Sequence, residues 1–472
     1  MEFTPVYRRY LICRGTDSKT LKRLVTSLLL VALTNGCAHV ERRQPASAPT
    51  TPEPSSASVG WQPTRIRTAS ATSLPGTDIA AADPIPESPT TLEAFEELAL
   101  ASNPTLAEFR ARIESAEGRR VQVGLSPNPV IGLSVQEIGN DGSAGQYGAF
   151  LSQPIITTNK LELNRNEAGW DVARAERELA SQRLRVLTDV RRAFHLSRVA
   201  QQRVAVAKEL HAIANQAVLK ARELIKNQEP RTVLTQAEIE LEVATLKLEN
   251  TRTQHTARWR GLVTVVGQPG LPLQDVAGSL AAESPELVWN QTLETILRDS
   301  PELSAAVAEV ERTRAALLRA TAEATPNWTM QTGTYYDDAS KDTFATIQLS
   351  MPIPVHDRNQ GGIAQAQADA IAARQVVERI ELHLQQRLAA VFLKYEQARQ
   401  QAARYSGVIL EKAKQNLDLN RQSYESGESS YLAVLTAQRS YSETRLAWLD
   451  SLEQLWTATV EIQGLLLSGS LE

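Results

Sequence analysis

His356 and Asp357 stand side by side in the stretch QLSMPIPVHDR, and an imidazole beside a carboxylate is a pair that can hold a metal ion. The rest of the chain does not extend that chemistry. Its six histidines are scattered, and there is neither a His-Glu-x-x-His motif nor a Gly-rich phosphate loop. No catalytic residue, metal site or cofactor is therefore expected. A polar turn at the start of a long helix explains His356 and Asp357 more simply. His211 falls on a row of apolar positions and is expected to be a packed histidine rather than a ligand.

Cysteine chemistry narrows to one residue. Cys13 precedes the apolar run LVTSLLLVAL, itself preceded by Lys19, Lys22 and Arg23. That run is too short to cross a bilayer as a helix, so residues 1–36 are expected to be a cleaved signal peptide. The mature chain then keeps only Cys37, which excludes an internal disulfide or a zinc-type cysteine cluster. TNGCAHV resembles the lipobox of bacterial lipoproteins, with Thr34 where Leu is usual and Leu33 one step early. On that resemblance Cys37 carries the acyl anchor, and Ala38 rather than Asp after it implies sorting to the outer membrane. Residues 37–89 are rich in Pro, Ser, Thr and Ala and are expected to form a lipid-anchored flexible segment. The formal charge of -4 and the absence of a basic run interleaved with aromatics argue against nucleic acid.

The remaining chain reads as the same text twice, over residues 90–270 and 290–470, with 271–289 as a linker. Each copy opens with a short helix ending near a proline, FEELALASNPTL against TILRDSPEL, which pairs Pro104 with Pro301. A second helix then stops at Pro127-Asn128 or Pro326-Asn327. Two alternating runs follow in each copy. Ile131, Leu133 and Val135, then Tyr147, Ala149 and Leu151, oppose Gly, Ser and Gln; Trp328 and Met330, then Ala345, Ile347, Leu349 and Met351, oppose Thr, Gln and Ser. Each run can be drawn about nine to eleven residues long, enough for a tilted strand to cross a membrane. Only 5% of the chain is aromatic, yet Tyr147, Phe150, Trp328, Tyr335, Tyr336 and Phe344 gather here, where they are expected to supply interfacial girdles. The runs end in Ser-x-Pro-Ile at Pro154 and Pro352. A residue without an N–H and with a fixed φ marks these as the joints where strands leave a sheet and feed helices.

After each joint the pattern runs roughly 65 residues without a breaker, about 100 Å of helix. Leu179, Val186, Ala193, Ala200, Ala207, Ala214 and Ala221 recur one per heptad, beside Val190, Ser197, Val204, His211, Val218 and Ile225; Val377, Leu384, Val391, Ala398 and Tyr405 repeat the row in the second copy. Asn227 and Gly427 mark two hairpin tips, since both residue types accept positive φ at a helix end. The returning helices are expected to reach about Gly267 and Gly464.

Four membrane-length strands cannot close a barrel alone, because open edges are not tolerated in lipid and a closed barrel needs about eight. The barrel must be shared between chains. In its tandem repeat, its NP.L and SPNP marks, its Ser-x-Pro-Ile strand ends and its two tips, residues 90 to 470 resemble the TolC-like outer membrane efflux proteins, including lipid-anchored members of drug and heavy-metal pumps. The resemblance implies an α+β membrane protein: a trimeric twelve-stranded β-barrel, four strands per chain, set in outer membrane lipid and continued by a long antiparallel α-helical coiled-coil tunnel. It implies a homotrimer that gives a passive exit duct, meeting a periplasmic adaptor and an inner membrane efflux pump of the RND type. Contact with the adaptor falls to the tips, Asn227, Gln228 and Glu229 in one and Gly427, Glu428 and Ser429 in the other. The family's acidic entrance positions correspond to Val233 and Ala433 here, leaving Glu425 and Glu428 as the entrance charge. The competing reading is a soluble periplasmic coiled-coil adaptor or scaffold, in which the four alternating runs pack in water. The cargo is not legible in the sequence.

Overall fold

The computed structural model describes residues 90–138, 145–226, 231–278 and 285–471. Cys37, the signal and tether, and the first-tip residues Asn227, Gln228 and Glu229 lie outside them.

Each copy begins with two short helices: α1 (Leu92–Ser102) and α2 (Pro104–Val123), then α5 (Trp289–Asp299) and α6 (Pro301–Glu323). The Asn-Pro and Ser-Pro dipeptides are N-cap and first-turn pairs. Asn103 Oδ1 accepts from Thr105 N at 3.0 Å and Ser300 Oγ from Leu303 N at 3.3 Å, while each proline fills a position whose N–H would have no helical partner. Asn103 also donates through Nδ2 to Val265 O at 2.8 Å, which ties the cap to the far end of the repeat.

Strands β1 (Val130–Gln136), β2 (Gln146–Ile155), β3 (Trp328–Asp337) and β4 (Asp342–Ser350) form one antiparallel sheet in the order β1-β2-β3-β4. The two copies meet at β2 and β3, where Tyr147 lies opposite Tyr336 and Ile155 opposite Trp328. β1 is shorter than the pattern suggests, at seven residues, because Glu137 adopts φ 57° and ends the extended run.

The long helices follow: α3 (Lys160–Lys226) returning as α4 (Arg231–Val266), and α7 (Gln360–Arg404) with α8 (Leu410–Glu425) returning as α9 (Tyr431–Gln463). α3 is uninterrupted for 67 residues. Its counterpart is not: a π-turn at Tyr405–Ile409 separates α7 from α8, at a Ser-Gly pair that supports an α-helix poorly. The alanine seam is buried, with Ala200, Ala207, Ala214 and Ala221 at 8% exposure or less. His211, on the row beside that seam, is half-buried. Small side chains there let α4 lie close along α3.

Among the described residues, two larger cores hold the helices together. One gathers Phe95, Val186, Val190, Phe194, Trp259 and Leu262 around α1, α3 and α4, with Phe95 6.0 Å from both Phe194 and Trp259. The other gathers Ile296, Leu384, Leu388, Tyr395, Leu452 and Leu455 around α5, α7 and α9, and takes in Val199 and Val206 of α3. Tyr395 is fully buried, and its hydroxyl donates to Pro285 O at 2.9 Å and accepts from Leu287 N at 3.0 Å. α3 therefore belongs to both cores. Arg203 on α3 pairs with Asp450 and, at 2.6 Å, with Glu453 of α9, which also accepts from Arg258 of α4 at 3.0 Å.

The returning helix α9 ends at Gln463, and Gly464 follows it without a left-handed turn. Its φ is -80°, and the left-handed residues are Leu465 and Leu466. A Cβ at Gly464 would lie 1.9 Å from Thr188 Oγ1, so glycine is required by the close approach to α3.

Candidate functional site

The sheet has two chemically distinct faces. Directly paired residues of an antiparallel sheet project to the same side. One side therefore carries Ile131, Leu133, Val135, Tyr147, Leu151, Trp328, Met330, Tyr336, Ile347 and Leu349, all exposed, with Ile131 at 81% and Leu133 at 84%. Apolar surface so open to solvent on a single chain fits a lipid-facing wall. The opposite side carries Ser134, Gln136, Gln146, Ser152, Thr329, Gln331, Thr346 and Gln348, which fit a water-filled interior.

The expected aromatic girdle divides between these faces. Tyr147, Trp328 and Tyr336 stand on the apolar side, whereas the register puts Phe150, Tyr335 and Phe344 on the polar side. Tyr335 is 6% exposed and stacks on Phe344 with centroids 5.8 Å apart. Both sets occur at aromatic-rich positions; only strand parity, fixed by pairing, separates them.

Pro154 is the penultimate residue of β2, opposite Thr329, and Pro352 follows the end of β4. β1 stops pairing with β2 at Ser152, so Pro154 opens no gap in that ladder. Left-handed residues then stand before each long helix: Thr158 (φ 59°) and Asn159 (φ 51°) before α3, and Asn359 (φ 56°) before α7. Asparagine enters the left-handed region more easily than other side-chain-bearing residues. Leu163 and Ile363 donate their N–H groups back to the carbonyls of Asn159 and Asn359 at 3.0 and 2.9 Å. These two residues were not singled out from the sequence. Their shared place after the Ser-x-Pro-Ile marks was the available signal. Buried Lys160 braces the connection between β2 and α3, donating from Nζ to Asn327 Oδ1 at 3.0 Å, and Thr157 Oγ1 donates to Pro326 O at 2.9 Å.

His356 and Asp357 are exposed in the connection between β4 and α7. His356 O accepts from Gln360 Nε2 at 3.0 Å and Asp357 Oδ1 from Asn359 N at 2.9 Å, so both belong to a polar turn. Among the described residues no group of His, Cys, Asp and Glu is arranged to hold a metal ion.

At the second hairpin tip Gly427 takes φ 78°. Its N–H donates to Tyr424 O at 3.0 Å and that of Glu428 to Ser423 O at 2.9 Å, the Schellman arrangement that closes a helix C-terminus. Ser429 N donates to Ser423 O at 3.1 Å. Glu425 and Glu428 are exposed on this turn. Val233 and Ala433 are half-buried, Val233 packing against Val218, Ala221 and Ala237. Tyr431 packs on Tyr424 with centroids 5.3 Å apart, and Lys220 Nζ lies 5.8 Å from the Tyr431 ring centre, which brings α3 against the second tip. Burial pushes the Tyr431 phenol up from its ordinary pKa.

A family model described as outer membrane efflux protein matches residues 97–268 and 292–466. The chain belongs to the outer membrane efflux protein family. It is thus an outer membrane channel of an efflux system, and members of this family are channels rather than enzymes. The cobalt-zinc-cadmium resistance protein CzcC of Cupriavidus metallidurans is 28% identical over 392 residues, covering 80% of this chain and 90% of that protein. Among solved structures, CusC aligns with TM-score 0.67 at 17% identity over 80% of this chain and 92% of its own. VceC of Vibrio cholerae aligns with TM-score 0.64 at 17% identity over 80% and 96%, and MtrE of Neisseria gonorrhoeae, in its open state, with TM-score 0.65 at 16% identity over 80% and 89%. The outer membrane efflux protein fold, a four-stranded sheet per chain joined to long helical hairpins, is shared with all three. The family match leaves the adaptor or scaffold reading without support.

Proposed function

We propose that three copies of this chain close a twelve-stranded barrel in outer membrane lipid and continue it as a helical duct through the periplasm. The observation that carries this reading is the sheet itself. One face is apolar and exposed, the other is polar, and β1 and β4 are edges with no further strand partner among the described residues. Lipid does not tolerate such edges, so neighbouring copies must pair them. Two copies would give an eight-stranded barrel filled by its own side chains, whereas three leave a water-filled passage.

The duct is passive, and the energy for export comes from an inner membrane pump of the RND type, reached through a periplasmic adaptor. The adaptor seats on the hairpin tips, at Gly427, Glu428 and Ser429 and at the first-tip residues Asn227, Gln228 and Glu229, with Glu425 and Glu428 supplying charge at the entrance. Pro154 and Pro352 are the joints between barrel and duct. Acylation of Cys37 anchors the mature N-terminus, and residues 37–89 tether it. The cargo we propose is a heavy-metal cation, supported by the likeness to the cobalt-zinc-cadmium resistance protein.

Membrane fractionation tests the architecture: the protein is expected in the outer membrane as a detergent-stable trimer, and a monomer free in the periplasm overturns it. Deletion of the chain is expected to lower tolerance to cobalt, zinc or cadmium. Unchanged tolerance with loss of drug tolerance removes the metal assignment and keeps the channel.

A further inference from the structure

Three rings sit on the polar face of the sheet, and glycines lie beneath two of them. Gly132, Phe150 and Gly333 are directly paired across β1, β2 and β3, and Gly148, Tyr335 and Phe344 make the neighbouring row across β2, β3 and β4. The rows are about 7 Å apart along the strands, and Tyr335 and Phe344 lie near the β3-β4 turn. A Cβ on Gly132 would stand 2.3 Å from Phe150 Cζ, and one on Gly148 2.2 Å from Tyr335 Cδ1. Phe150 and Tyr335 therefore lie down on the sheet, in space that any side chain would occupy. Glycine in a strand interior otherwise weakens it, so its repeated use under aromatic rings needs a reason.

We propose that these glycine seats set the calibre of the pore, by keeping Phe150 and Tyr335 flat against the interior wall where an ordinary side chain beneath them would tip the rings into the passage. The inference rests on the barrel reading above, which makes the polar face the interior. In a trimer the arrangement occurs three times around one level of the barrel, so a change at one glycine moves three rings at once. Calibre at this level limits the bulk of the solutes that pass, whatever the pump delivers.

The Gly132 and Phe150 pair gives the clean test, because the three atoms nearest a Cβ at Gly132 all belong to the Phe150 ring, whereas at Gly148 the Thr334 carbonyl also intervenes at 2.6 Å. Purified full-length protein is reconstituted in planar lipid bilayers, and single-channel conductance is read for the native chain, Gly132→Ala, Phe150→Ala and the double variant. Gly132→Ala is expected to lower the conductance, Phe150→Ala to leave it at or above the native level, and the double variant to restore it. Native conductance in Gly132→Ala overturns the proposal, as does a double variant that stays as low as Gly132→Ala, which would indicate general damage to the sheet. Should Gly132→Ala fail to assemble, Phe150→Trp keeps the glycine and overfills the seat. Reduced conductance in that variant supports the proposal and native conductance overturns it. Absence of any conductance from the native trimer defeats the barrel reading itself, a result distinct from all of these.

Discussion

Asp189, buried in the middle of α3, holds the end of the chain: its Oδ2 accepts from Ser470 N at 2.7 Å and its Oδ1 from Gly469 N at 3.3 Å. Gln182 Nε2, also on α3, donates to Ser470 O at 2.7 Å. The last residues of the second copy are thereby strapped onto the first. Asp189→Ala leaves two backbone N–H groups without an acceptor in a dry site and is expected to cost roughly 3 kcal/mol. Thermal unfolding of the detergent-solubilised protein measures this, and an unchanged melting temperature refutes it.

His195 makes stability depend on pH. It stacks on Trp456 with centroids 4.2 Å apart and planes at 7°, joining α3 to α9. Burial, with the positive charges of Arg198 and Arg191 nearby, pushes its pKa down from 6.5 to about 4. The folded state therefore holds a neutral imidazole and the unfolded chain takes up a proton first. The stability present above pH 6.5 is expected to fall as pH drops toward 4, by up to about 3 kcal/mol from this residue. His195→Phe keeps a ring against Trp456 and does not titrate. Denaturant titrations between pH 7 and pH 4 should show a flatter profile for this variant, and an identical slope removes His195 as the cause.

Gly427→Pro separates the tip from the barrel. Proline fixes φ near -65° and has no N–H, whereas Gly427 holds φ 78° and donates to Tyr424 O. Efflux is expected to be lost while the protein still reaches the membrane, as read by tolerance assays beside fractionation. Gly427→Ala has open space around its Cβ and meets only the backbone cost, about 1–2 kcal/mol. It should be far milder, and normal tolerance in the proline variant counts against the tip as a docking element.

Cys37→Ser tests the anchor. Incorporation of labelled fatty acid is expected to disappear in this variant, and undiminished labelling removes Cys37 as the acylated residue.

How much of this was legible beforehand depended on the range of the signal. The Ser-x-Pro-Ile marks fall at the ends of β2 and β4, yet the left-handed residues before the long helices are Thr158, Asn159 and Asn359, which no spacing in the sequence distinguished. Alternation revealed four strands, but not that the β1 run stops at Glu137. The second long helix read as continuous because its heptad row ends at Tyr405, where the π-turn over Tyr405–Ile409 begins, and no Pro marks the break.

The sequence by itself determined the repeat, the two-faced strands, the alanine seam and the Gly427 tip, since period two, period seven and the preferences of Gly and Pro act over a few neighbouring residues. Only the tertiary structure decided that Phe150, Tyr335 and Phe344 leave the apolar face, that α3 serves both cores, and that Asp189 holds Ser470. Those outcomes depend on strand register and on partners hundreds of residues apart, and no local pattern carries the identity of a partner that distant.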